Sequence, residues 1–109
     1  MDEKINLMWK SNNESFNVGE LLFSDSRYYF NYNVNEVKKA KEYGLELLEG
    51  FPRVNSKYFS EEMFKLFQKW LVIQGRVEDV TFETLKGLSY DNFYFENGAR
   101  VEANDDITD

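Results

Sequence analysis

A chain of 109 residues fits one domain, and folding at that length buries roughly two thirds of the surface an extended chain exposes, which allows one modest core. Cysteine and histidine are both absent, which excludes disulfides, thiolate metal sites and catalysis by a serine–histidine or cysteine–histidine pair. The formal charge of −7 argues against nucleic-acid binding through clustered Lys and Arg, and no apolar run approaches the ~20 residues of a membrane span.

From the N-terminus, Lys4 to Lys10 alternates, with Ile5, Leu7 and Trp9 on one side, and reads as a strand. The opening MDEKINLMWK has acids where a secretory signal carries bases and then apolar residues, so the expected location is cytoplasmic. Phe16 to Phe23 and Tyr28 to Tyr32 are two further runs separated by Ser24, Asp25 and Ser26, a hairpin pattern. Tyr28, Phe30 and Tyr32 share one face of the second arm, so burying them sets its register.

Asn35 is placed to cap a helix through Glu36 to Tyr43, which Gly44 ends. Its lysines read as the solvated face opposite Val37 and Ala40. Leu45 to Leu48 is a short apolar step, and Phe51-Pro52 forces extended backbone before a turn at Asn55-Ser56. Ser60 suits the N-cap of a second helix, with Glu61 and Glu62 in its first turn. Along that helix Phe59, Met63, Leu66, Phe67 and Trp70 cluster, and Phe64, Leu71 and Ile73 widen the apolar arc to about half the circumference, more than one core-facing stripe requires.

After a break at Gln74-Gly75-Arg76, a third helix is expected over Asp79 to Lys86 with Phe82 and Leu85 inward. Tyr90 to Glu96 reads as a strand closed by Asn97-Gly98, with a hairpin partner at Ala99 to Val101. The class is therefore α+β: a small antiparallel sheet or partial barrel with two to three short helices, in one domain over residues 1–101. Residues 102–109 form an acidic tail. Glu102, Asp105, Asp106 and Asp109 carry much of the charge excess there, leaving −3 for residues 1–101.

No phosphate-binding loop occurs, nor the H-R-D and D-F-G motifs that a kinase uses to position its base and magnesium. The adjacent carboxylates Glu61/Glu62, Glu78/Asp79 and Asp105/Asp106 read as helix-start or tail charges, not as acid–base pairs. The tail lacks the glycine and terminal glutamate of a calcium loop. The expectation is a non-enzyme with no metal and no cofactor.

Trp70 is read first as core. Because the arc is too broad for one core and Trp is enriched among interface anchors, it is also the candidate partner-binding residue, with Phe67, Leu71, Met63 and Lys69 beside it.

The motif order resembles the N-terminal subdomain of HipA-type kinases and the related module that precedes HIRAN domains. It runs Val18-Gly19-Glu20-Leu21, then Tyr28-Tyr29-Phe30-Asn31-Tyr32, then Gly44 through Leu48 to Phe51-Pro52, then Tyr58 to Phe67. Gly87-Leu88, Asp91-Asn92-Phe93 and Gly98-Ala99-Arg100 resemble the family's close. The chain departs from the pattern at Gln68, Lys69 and Trp70, where the family is smaller or charged.

A free-standing copy is similar to the small subunit of three-component HipA-type toxin–antitoxin systems. That resemblance implies a protein that binds a separately encoded kinase toxin core and restrains it, accompanied by a helix-turn-helix repressor. It implies no direct contact with nucleic acid or membrane. A second reading is an acidic, phage-encoded inhibitor that mimics nucleic acid in a basic channel, which the modest charge of residues 1–101 disfavours. A DNA-reading accessory, as the HIRAN-linked likeness suggests, lacks a basic face.

Overall fold

The alternation of Ile5, Leu7 and Trp9 becomes one buried row of a strand, β1 (Glu3–Ser11), in a computed structural model that describes residues 3–75, 82–86 and 88–97. β1 pairs antiparallel with β2 (Glu14–Ser24), and β2 with β3 (Arg27–Tyr32). Asp25 and Ser26 both take positive φ, 54° and 64°, which matches a two-residue hairpin turn to the right-handed twist of its strands.

Val18 is an extra residue in β2, because Leu7 faces Gly19 while Met8 faces Asn17. The bulge leaves two carbonyls to Asn33, which donates its backbone N–H to Val18 O at 2.9 Å and its side-chain amide to Asn17 O at 2.7 Å. That anchors the start of α1 (Val34–Lys41) at Asn33, earlier than the expected Asn35 cap, with the Asn33 side chain spent on the sheet. Val37 and Ala40 are its buried residues, and Gly44 follows at φ +105°, where L side chains are strained.

The largest departure from expectation lies next. Lys57–Ser60 forms a strand, β4, on the open side of β3, with Tyr58 opposite Phe30 and Ser60 opposite Tyr28. Ser60 therefore caps no long helix; its Oγ accepts the Glu62 N–H, two residues on, at 3.1 Å. The backbone bends at Glu61-Glu62, Phe64 is extended, and α2 runs Lys65–Ile73. Closing a ladder along β3 satisfies more backbone groups than one side-chain cap, so pairing wins.

The broad apolar arc dissolves with the shift. Phe59 belongs to a strand and is 61 % exposed, while α2 buries the stripe Phe67, Trp70 and Leu71 at i, i+3 and i+4. α3 (Phe82–Lys86) buries Leu85, and β5 (Ser89–Tyr90) turns at Asp91-Asn92 into β6 (Phe93–Asn97). The expected single strand from Tyr90 to Glu96 is thus broken, with Asp91 at φ 58°. The expected start of the third helix at 79–81, the partner strand at 99–101 and the tail lie outside the described residues.

β6 returns beside β1, giving a six-stranded antiparallel open sheet in the order β4-β3-β2-β1-β6-β5. The helices and the 45–54 segment cover the face that carries Ile5, Leu7, Leu21, Phe30 and Phe95. Gly19 belongs to that packing: a Cβ there would stand 2.7 Å from the Phe30 ring and 3.2 Å from Asn31 O. None of the described helices is long and apolar enough to cross a membrane.

Candidate protein-binding surface

Phe51 organises the region around the second helix. Its ring centroid lies 4.8 Å from Phe30, 4.9 Å from Tyr58, 5.2 Å from Phe64 and 5.9 Å from Phe67. Its carbonyl accepts the buried Tyr32 hydroxyl at 2.7 Å, and the same hydroxyl accepts the Leu48 N–H at 3.0 Å. One phenol thereby ties the 48–51 segment to the sheet. The Tyr58 hydroxyl similarly closes the next loop, accepting the Arg53 N–H at 2.8 Å and donating to Arg53 O at 3.2 Å.

Burial pushes the Tyr32 phenol up to about 12, with the Leu48 N–H opposing the shift and Tyr58 adding to it. The unfolded chain releases that proton near 10, so above that pH the unfolded state binds fewer protons than the folded one. Stability from this group is therefore intact below pH 10 and is lost as pH rises towards about 12. Urea midpoints measured across that window fall more steeply for the wild type than for Tyr32→Phe, which is less stable at neutral pH by about 1–3 kcal/mol because two buried backbone groups lose their partner.

The residues singled out in the sequence are divided by the fold. Met63, Phe67, Trp70 and Leu71 are all core, with Trp70 only 3 % exposed. The Trp70 indole stacks on Tyr90 at 5.2 Å and on Phe93 at 5.5 Å, and meets Phe67 edge-on at 5.3 Å. An anchor offers its face to a partner, and this face is already occupied by β5 and β6. Lys69 alone of the five is exposed, and its ammonium lies 3.5 Å from the Glu49 carboxylate. An exposed pair of this kind contributes ~0–1 kcal/mol, too little to lock the surface.

That ion pair stands between two grooves. One, of about 340 Å³, is lined by Trp9, Leu47, Trp70, Ile73, Tyr90 and Phe93. Gln74 tethers its far wall through a side-chain bond to Ser89 O. The other, of about 350 Å³, lies between β4, Gly50 and the first turn of α2, with Phe51, Tyr58, Phe64 and Leu66 as walls, Phe59 at its β4 edge and Lys65 and Lys69 at the rim. Tyr58, Phe59, Phe64, Lys65 and Leu66 belong to the arc and motifs read from the sequence but not to the partner-binding residues expected from it. Lys57-Tyr58-Phe59-Ser60 sets two aromatics side by side in a run of four, which gives no period-two signal for an edge strand.

Acid–base chemistry finds no assembly among the described residues. Glu61 and Glu62 are exposed beyond β4, and no group of three carboxylates converges on a cation position. Glu78, Asp79, Asp105 and Asp106 lie outside the described residues. Comparison with protein-family models, curated proteins and solved structures finds no match to this chain.

Proposed function

We propose that this chain is a non-catalytic, antitoxin-like subunit that acts in the cytoplasm, docking on a HipA-like Ser/Thr kinase core that lacks its own N-terminal subdomain and restraining it. The observation that carries the reading is the aromatic-walled groove between β4 and α2, open to solvent and framed by charged side chains. Interfaces combine an apolar centre with a polar rim in this way.

Two further features support it. The residues that carry the family resemblance, Phe30, Tyr32, Phe51, Tyr58, Phe64 and Phe67, are distant in sequence yet form one contact set. The segment Phe51 to Leu71 also keeps a surface for a partner after its core is filled, in Phe59, Lys65 and Lys69.

Titrating the chain into such a kinase core tests the reading. Autophosphorylation falls to a plateau at one chain per kinase, and a chain cut after residue 101 inhibits equally well. Undiminished kinase activity at saturating chain contradicts the restraint. Loss of inhibition on removing residues 102–109 transfers the function to the acidic tail.

A further inference from the structure

β4 ends the sheet: among the described residues it pairs with β3 alone, so its other edge carries backbone N–H and C=O groups with no strand beside them. Short edge strands bearing lysine normally guard against pairing, and β4 has only four residues with Lys57 at its start. Phe59 runs against that guard. It is 61 % exposed in the middle of the edge, with the Arg27 guanidinium 5.7 Å from its ring centroid and Tyr29 at 6.4 Å.

The two sides of this edge are both furnished for side chains. Phe59 and Arg27 lie on the face away from the helices, while Tyr58 points the other way onto Phe51 and walls the aromatic groove. A strand added about 4.8 Å from β4 projects alternate side chains to those two faces, one set over Phe59 and the other into the groove.

Charge selects the kind of strand. Arg27, Arg53, Lys57 and Lys65 lie on or beside β4 and its groove, all exposed and none with a carboxylate partner among the described ion pairs. The carboxylates there are Glu61 and Glu62 just past the strand and Glu49, which is paired with Lys69, so the bases outnumber the acids on a chain whose net charge is −7. Electrostatic complementarity of this kind steers encounter and rejects like-charged partners.

We infer that the β4 edge is a β-augmentation site that takes an extended, acidic peptide segment of a protein partner, with its alternate apolar side chains seated in the aromatic groove. The inference rests on the protein-binding reading above and adds the form of the bound segment. Main-chain pairing supplies affinity in this mode, and the flanking arginines and lysines supply the preference for acids.

The probe is a short capped peptide alternating glutamate with valine, added to the full chain at low salt and followed by fluorescence anisotropy. Saturable binding is expected, at least about tenfold tighter than for the peptide alternating lysine with valine. Lys57→Glu combined with Lys65→Glu, both exposed and away from the core, weakens it by about tenfold or more. Amide exchange in Lys57–Ser60 slows when the peptide is bound, a readout that non-specific charge attraction does not move.

Equal affinity for the two peptides, or binding without added protection in β4, overturns the inference. So does preference for a single-stranded oligonucleotide over the acidic peptide, or protection of β4 in the free chain that grows with protein concentration, which assigns the edge to a second copy. A chain that restrains the kinase core but ignores the peptide leaves the proposed function standing and removes only the strand-addition site; peptide binding without kinase inhibition does the reverse.

Discussion

Trp70→Ala lowers the unfolding free energy by about 3–5 kcal/mol, because removing an indole that stacks on Tyr90 and Phe93 leaves a cavity the short β5–β6 hairpin cannot fill. A domain of this size has a total stability of only about 5–15 kcal/mol, so the variant retains a shallow margin and binding measured on it mixes lost partner contact with lost fold. Trp70→Phe separates the two. It keeps a ring against Tyr90 and Phe93, recovers most of the stability in urea denaturation, and preserves partner binding if the indole serves the core. Loss of binding with full stability returns Trp70 to the interface.

Phe67→Ala is expected to cost a similar ~3–5 kcal/mol, for a different reason. Phe67 is wholly buried at the point where α2 meets the sheet, with ring contacts to Phe30, Phe51, Phe64, Trp70 and Phe95. Its removal unpins the helix from both β3 and β6. Calorimetry therefore shows a lowered melting temperature in a single transition, while Phe67→Leu, which refills much of the volume, recovers part of the loss. A two-step melt with one unchanged transition would mean that the two sides of the sheet fold independently.

Much of the sheet was legible because period-two patterns survive in isolation. Ile5, Leu7 and Trp9, and Phe30 and Tyr32, announce their buried faces without reference to anything distant. The α2 region was misread for a physical reason. Lys57-Tyr58-Phe59-Ser60 is too short to declare itself a strand, and Ser60 followed by two glutamates is a good local helix start. The decision belongs to β3, whose open edge captures the segment through pairing between residues some thirty positions apart, information no local pattern holds.

The same shift explains why the candidate site was only partly legible. Taking Phe59 through Ile73 as one continuous arc gives a surplus of apolar surface, and that surplus makes Trp70, read first as core, a candidate anchor as well. Separated into strand and helix, the segment has a normal stripe of Phe67, Trp70 and Leu71, and the surplus resides in Phe59 on β4 and in Val72 and Ile73 at the end of α2. The turn at Asp91-Asn92 was hidden likewise, since aromatic residues on both sides of it read as one continuous run.

The proposed function puts partner binding on the exposed β4–α2 surface, outside an otherwise ordinary core. Calorimetric titration of a HipA-like kinase core with the wild-type chain and with Phe59→Ala separates that surface from the core. One-to-one binding is expected that weakens by about tenfold or more in the variant, whose own stability stays within about 0.5 kcal/mol of wild type. No binding by the wild-type chain, or equal affinity for both proteins, contradicts that placement.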